Sequence, residues 1–137
     1  MGIAKKQFTG ILEGIFTPGN VIRLYKTVPD ETTEQGGEFL TGAGVENYTI
    51  ADGDFTIANG VVQSAKTMMF YLYEGTPTTC EGFGVFSNSG ELLYFGAFKE
   101  ALQLDENDVP AIKKYNSTKG EGIQISITST DESAATT

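Results

Sequence analysis

The amino-acid sequence predicts an all-β protein: an antiparallel β-sandwich or jelly roll with a short N-terminal helix. Glycine accounts for 17 of the 137 residues and aromatic side chains for 11%, a composition typical of strands joined by tight turns. About eight short apolar segments follow one another, separated by turn residues. We therefore expect a helical arm at residues 1–20, a β-sandwich domain at 21–128 and a C-terminal tail at 129–137.

A hairpin at Cys80–Phe98 is the clearest structural signal. Two apolar runs, Gly82–Phe86 and Leu92–Phe98, flank Ser87–Gly90, whose side chains and glycine favour a tight turn. Both faces of the second run are apolar, so we expect the hairpin to lie centrally, covered on both sides or against a neighbouring chain. The side chains expected to be mostly buried are Phe83, Val85, Tyr94 and Phe98.

Residues 4–16 form the only segment with helical spacing. Its apolar side chains Phe8, Ile11, Leu12 and Ile15 recur every three or four residues, which predicts a short amphipathic helix. The apolar stripe needs a cover, and both the chain's own sheets and a neighbouring molecule can supply one. We take these four residues as candidate interface residues.

The remaining strands follow from apolar runs between turn residues. Asn59-Gly60 is a two-residue hairpin turn of type I′. Residues 29–47 predict a long polar loop whose few apolar anchors include Phe39 and Leu40. We expect contact with another chain to order this loop, which adds those two residues to the candidate interface. The predicted strands are Val21–Thr27, Tyr48–Ala51, Phe55–Ala58, Val61–Ala65, Lys66–Glu74, Ala101–Leu104, Ala111–Tyr115 and Gly122–Thr128.

Charge and hydropathy exclude two classes of partner. Nine basic residues stand against 18 acidic ones, a formal charge of −9, whereas phosphate backbones require a basic surface. Nucleic acid is therefore not an expected partner. No run of about 18 apolar residues occurs, so we expect no membrane span.

The residue types that most catalytic sites need are missing. The chain has no histidine, which excludes Ser-His-Asp and Cys-His arrangements and histidine metal sites. The single cysteine, Cys80, is interpreted as a packed apolar side chain. Asp105–Pro110 lacks the spacing of a calcium loop and predicts a solvated turn. We expect no enzyme activity, no catalytic residue, no cofactor and no metal.

The order of segments from Val21 onward resembles a known family. The segments are NVIRLYKTVPD, ADGDFTIANGVV, GFGVFSNSGELLYFGAF, ALQLDENDVPAIKKYNS and GIQISIT. In this order they resemble small virion proteins of tailed bacteriophages, over roughly residues 5–128. The chain departs from the family pattern at Pro29-Asp30, where the two residues are inverted, and at Asp105–Pro110, which is longer. Members of the family are capsid decoration, head fibre or tail fibre proteins.

The resemblance implies a structural role in the virion, assembled in the host cytoplasm. The first hypothesis is a capsid decoration (cement) protein, a homo-oligomer with a trimer favoured. It would bind the phage major capsid protein, or another virion protein, and bridge its subunits. The alternative is a head-fibre or tail-fibre adhesion module that binds the host surface through exposed aromatic side chains.

Overall fold

A computed structural model describes residues 5–41 and 47–126 of the chain. It confirms the all-β class, because these residues form antiparallel sheets and a single short helix. The sandwich or jelly-roll arrangement stays a prediction. The tail at 129–137 and the last two residues of the predicted closing strand lie outside the described residues. The elements are α1 (Lys5–Ile15), β1 (Val21–Thr27), β2 (Glu38–Phe39), β3 (Tyr48–Thr49), β4 (Phe55–Ala58), β5 (Val61–Ser64), β6 (Met68–Met69), β7 (Thr78–Phe86), β8 (Leu92–Leu104), β9 (Ala111–Ile112) and β10 (Gln124–Ser126).

The largest sheet is built around β1 and β7. Its strand order is β2-β1-β7-β8, and β3 shares the outer edge of β1 with β2. A second sheet has the order β10-β5-β4, and β6 pairs with β9 in a separate two-stranded ladder. All these pairs are antiparallel, and buried side chains from all three sheets belong to one hydrophobic core.

The predicted hairpin is present as β7 and β8. The Ser87 N–H donates to the Glu91 carbonyl at 2.8 Å, and the Gly90 N–H donates to the Ser87 carbonyl at 2.9 Å. Gly90 has a φ of +95°, a conformation that glycine adopts without strain. The turn chemistry of the sequence therefore predicted this connection correctly.

The predicted central position of the hairpin was wrong for β8. Strand β7 is paired along both edges, whereas β8 is the last strand of its sheet. Phe83 and Val85 of β7 are buried, and Tyr94 and Phe98 of β8 keep a smaller part of their surface exposed while packing against the core, so the predicted burial of these four side chains is confirmed. The central position was wrong because two apolar faces on one strand do not guarantee two covering layers: the described residues cover β8 from the core side only.

Glycine in β7 allows the sheet to pack tightly. A Cβ at Gly84 would lie 2.7 Å from the Tyr25 ring, and one at Gly82 would lie 2.2 Å from the Gly96 carbonyl oxygen. Both distances are shorter than the non-bonded contacts that Cβ atoms make in proteins. Any larger residue at these two positions would push β1 or β8 away from β7.

The helix packs on the chain's own second sheet. Leu12 and Phe16 belong to the core, and the Phe16 ring lies 4.8 Å from the Phe55 ring. The Gly60 N–H donates to the Thr9 hydroxyl at 2.8 Å, which ties α1 to the β4–β5 turn. Of the two covers considered for the apolar stripe, the structure therefore shows the chain's own sheets.

The predicted strand at Lys66–Glu74 is much shorter than expected. Only β6 pairs with β9; beyond it, Phe70 and Tyr73 donate their N–H groups to the carbonyls of Pro110 and Asp108, at 2.8 and 2.7 Å. Because proline has no N–H, Pro110 interrupts the regular exchange of hydrogen bonds in this ladder. The strand predicted at Ala111–Tyr115 is also shorter, at Ala111–Ile112.

Two more predictions were wrong: a loop without a strand at residues 29–47, and a separate strand at Ala101–Leu104. In both cases the structure depends on pairing between distant parts of the chain. The polar segment 29–47 contains β2, and the Leu40 N–H donates to the Leu24 carbonyl at 2.9 Å. The strand predicted at Ala101–Leu104 is the end of β8, which continues through a bulge where residues 98–101 face the single residue Glu81. Neither pairing has a local signal in the sequence.

Two turns formed as predicted. Asn59 and Gly60 have φ angles of +54° and +76°, as a type I′ hairpin turn requires. At the other turn, the Asp108 N–H donates to the Asp105 carbonyl at 3.1 Å, and Asn107 has a φ of +73°.

Cys80 lies in the core with none of its surface exposed. Its thiol is 3.5 Å from the Gly82 carbonyl oxygen, and burial raises the pKa of the Cys80 thiol to about 12. The interpretation of Cys80 as a packed apolar side chain is confirmed.

Replacement of Phe83 by alanine tests the core. The Phe83 ring lies 5.6 Å from the Phe98 ring and 5.9 Å from the Tyr94 ring, so Phe83→Ala leaves a cavity and lowers the free energy of unfolding by about 3–5 kcal/mol. Urea unfolding measures the change. Tyr71→Ala, at a side chain that is 63% exposed, is the control and should change stability by less than about 0.5 kcal/mol. A loss below about 1 kcal/mol for Phe83→Ala would contradict this core.

Thiol modification tests the burial of Cys80. With a pKa of about 12, only about one thiol in ten thousand is ionised at pH 8, and the thiolate is the reactive form. We expect the native protein to react with an aromatic disulfide reagent only through unfolding, while the same protein in guanidinium chloride reacts within seconds. Rapid modification of the native protein at pH 8 would show an accessible thiol.

Candidate binding surfaces

The six predicted interface residues do not form one exposed surface. Phe8, Leu12 and Leu40 are buried within the chain, so they leave little area for a partner. Ile15 and Phe39 are half-buried, and Ile11 is the most accessible of the six, with 49% of its surface exposed. The structure brings Leu12 and Leu40 together in the core, with Ile15 packed against it.

Phe39 is held by its own sheet. The Arg23 guanidinium carbon lies 3.5 Å from the centre of the Phe39 ring, and the Tyr25 ring stacks on it at 4.7 Å with an interplanar angle of 14°. Phe86 adds a tilted ring contact at 5.8 Å. The contacts that order Phe39 in the structure therefore come from β1 and β7.

Four other large apolar side chains are exposed, two of them more than Ile11. Met69 is 61% exposed, Tyr71 63%, Val109 43% and Leu72 37%. We call these four residues the Met69 patch. They lie on two segments joined by backbone hydrogen bonds, and exposed apolar side chains grouped in this way are typical of surfaces that bind other proteins.

Buried neighbours fix the backbone under the Met69 patch. Met68, Phe70 and Tyr73 are buried between the exposed residues, and the Phe70 ring lies 5.6 Å from the Tyr48 ring. The Tyr73 hydroxyl donates to the Thr76 carbonyl, and the Asn107 N–H donates to the Tyr73 carbonyl at 2.8 Å. The two segments that carry the patch, 69–72 and 107–110, are thus joined to each other, so the exposed side chains stand on a preorganised support.

The sequence analysis missed the Met69 patch, although a signal was present. The segment Lys66–Glu74 has apolar side chains on both faces, and a strand at the surface can bury only one of them. A strand with two apolar faces and one cover leaves the other face for a partner. The position of Val109 beside this segment had no signal, because it depends on the 105–110 turn.

A groove runs along the outer side of β8. We call it the β8 groove; it encloses about 740 Å³ between β8 and residues 115–125. Tyr94, Phe98 and Ile125 line it and also pack partly against the core. At one end the Lys113 ammonium pairs with the Glu121 carboxylate at 3.0 Å. The groove thus combines half-buried aromatic side chains with charged residues at its rim.

The buried polar side chains have structural partners. The Asp54 carboxylate accepts from the Tyr48 hydroxyl and the Ala51 N–H, both at 2.8 Å. Burial, and then the hydrogen bond to Asp54, raises the pKa of the Tyr48 hydroxyl to about 12. The Ser64 hydroxyl donates to the Lys113 carbonyl at 2.8 Å and accepts from the Ile123 N–H at 3.1 Å. Both residues stabilise turns and strand connections, which accounts for their burial.

Within residues 5–41 and 47–126, no three side chains of the histidine, cysteine, aspartate or glutamate type converge on a point that could hold a metal ion. The same residues include no helix with the length and apolar character that crossing a bilayer requires. The surfaces that the structure does offer are the Met69 patch and the β8 groove.

Comparison with known proteins adds no relative. No family model matches the chain, and no curated protein matches it in sequence.

Proposed function

We propose that this protein is a structural component of a tailed-phage virion, a capsid decoration protein that binds the outer face of the head and bridges major-capsid subunits. The observation that carries the proposal is the Met69 patch. Two side chains with more than 60% of their surface exposed, Met69 and Tyr71, stand on a backbone fixed by buried neighbours. Methionine and tyrosine are enriched where proteins bind proteins, and a rigid support lowers the entropy lost on binding.

The resemblance in segment order supports the virion as the location. The segments that carry it include β1, the β4–β5 hairpin, the β7–β8 hairpin and the 105–115 region. The last of these contains Val109, one of the four residues of the Met69 patch. The proposed binding surface therefore lies partly on a segment that enters the resemblance.

Mass action supplies the mechanism of stabilisation. A protein that binds the assembled lattice but not free capsid subunits lowers the free energy of the lattice, and it does so more strongly as its concentration rises above the dissociation constant. Assembly of the decoration protein as a homo-oligomer would present several Met69 patches at once and increase avidity. A trimer stays a prediction of this proposal.

The exposure of Tyr71 favours one alternative. An aromatic ring that is 63% accessible can stack on a sugar ring or on the side chains of a surface receptor. The alternative is thus a fibre or adhesion module that binds the host surface through the same patch. The two functions differ in what fails when the protein is removed: the stability of the capsid in the first case, and adsorption to cells in the second.

Binding to depleted capsids tests the proposal. The double substitution Met69→Ser and Tyr71→Ser removes two exposed apolar side chains, and we expect binding at least about tenfold weaker, as for other residues central to an interface. Co-sedimentation with capsids that lack the protein measures binding, and a thermal melt checks folding. Ile11→Ser is the comparison variant: Ile11, 49% exposed, is the most accessible candidate interface residue on α1, so it separates that surface from the Met69 patch.

Each result separates the candidate functions. Depleted capsids should rupture at a lower temperature than complete ones, and added wild-type protein should restore them. Loss of binding for Ile11→Ser together with unchanged binding of the double variant would move the interface from the Met69 patch to α1. Depleted particles that are equally robust but fail to adsorb to cells would replace the decoration function with the adhesion function.

A further inference from the structure

The outer edge of β8 is the longest free strand edge among the described residues. β8 is 13 residues long and hydrogen-bonds along one edge only, to β7. Within residues 5–41 and 47–126, its outer edge has no strand partner. An unpaired edge of this length is a template for another strand, which natural proteins either block or use.

Side chains along this edge are incompletely covered. Tyr94, Phe98 and Leu102 of β8 pack against the core but keep part of their surface exposed, and so does Ile125 on the far wall of the β8 groove. Burial raises the pKa of the Tyr94 hydroxyl, as expected for a ring that is already mostly removed from water. A molecule that covers the groove would complete the burial of these four residues.

The charges at the two ends of β8 have opposite signs. Glu31 and Glu34 lie beside Leu92–Phe95, where the lining includes no basic residue. Beside Phe98–Gln103 lie three lysines, Lys99, Lys113 and Lys119, with Glu100 and Glu121. The edge is therefore acidic at its N-terminal end, whereas lysines outnumber glutamates at its C-terminal end, although the whole chain carries a formal charge of −9.

We infer that a second copy of this chain pairs with β8 through its own β8, antiparallel and related by a two-fold axis. The charge pattern selects this occupant. An antiparallel copy whose two-fold axis passes beside Gly96 sets its Lys99 opposite Leu93, beside Glu31 and Glu34 of the first copy, and the symmetry repeats the same contact on the other side of the axis. The paired edges extend the large sheet across the axis and cover the half-buried side chains of both grooves.

Pairing through β8 limits the assembly to two copies, and the bulge at residues 98–101 discourages other strands. Bulges and lysines on an edge discourage indiscriminate strand addition, because a lysine opposed by an apolar strand loses its hydration without gaining a partner. Lys99 gains a partner only when the acidic end of another β8 lies opposite. Once two copies have paired, each has used its long edge, so the assembly closes as a dimer.

Charge reversal tests the contact in the full-length protein. Lys99→Glu places acid against acid and Glu31→Lys places base against base, twice in each dimer. Each single variant should weaken self-association by about tenfold, the effect of two solvent-exposed ion pairs. The double variant should restore it. Lys66→Glu makes the same change in net charge outside the groove and should have no effect.

Sedimentation equilibrium at low and high salt measures the association. We expect a mass of twice the 14.7 kDa chain, and weaker association as salt rises. Hydrogen exchange supplies an independent reading: the amides of β8 should become more protected as protein concentration rises, whereas those of β4, the free edge of the second sheet, should not.

Several outcomes would overturn the inference. In sedimentation, they are a monomer at every protein and salt concentration, or a mass of three chains. Among the variants, they are single variants that associate as well as the wild type, or a double variant that does not regain self-association. In hydrogen exchange, the outcome is equal protection of the β8 amides at low and high protein concentration. A groove that binds an added extended peptide but not a second copy would also overturn it. The inference does not rest on the proposed virion function, since these assays need no capsid, but its dimer takes the place of the trimer favoured for a decoration protein.

Discussion

The pairing of β7 with β1 is the constraint on which the other elements depend. It places Ile22 and Leu24 of β1 opposite Val85 and Phe83 of β7 in the ladder, and all four side chains are buried in the core. The close approach of the strands requires glycine at positions 82 and 84, because a Cβ at either would overlap a neighbouring strand or the Tyr25 ring. The helix, the second sheet and the β6–β9 ladder then pack around this pair.

The same arrangement explains why the binding surfaces lie where they do. Strand β7 pairs with β1 along one edge, over Gly82–Phe86, and with β8 along the other. The unpaired edge of the sheet therefore belongs to β8. The Met69 patch has a different origin. Pro110 interrupts the ladder beside β6, and in the residues after β6 the side chains of Phe70 and Tyr73 are buried while Tyr71 and Leu72 stay exposed. The β8 groove thus lies where the large sheet ends, and the Met69 patch lies where the β6–β9 ladder is interrupted.

What the sequence could predict follows from the range of the interactions. The Ser87–Gly90 and Asn59-Gly60 turns were predicted because a few adjacent residues determine their backbone, and β1 and β4 were predicted with the bounds that the structure gives. β2 and the edge position of β8 depend on residues far apart in the chain. The candidate interface residues show a related limit: an apolar pattern shows which side chains need a cover but not which element supplies it. Phe8, Leu12 and Leu40 are covered within the chain, whereas Ile11 stays exposed.

The two surfaces differ in the physics of binding, so their roles can be separated. The Met69 patch has no charged member, and burial of apolar area changes little with moderate salt. The β8 edge combines backbone hydrogen bonds with charged ends, and the contribution of those ends decreases as ions screen them. A protein that must assemble with itself and also bind a larger structure benefits from this division, because ionic conditions can change self-association while the apolar contact persists. The acidic character of the chain as a whole fits the same division: it opposes indiscriminate contact between copies, and only an orientation that sets the lysines of one edge against the glutamates of another escapes that repulsion.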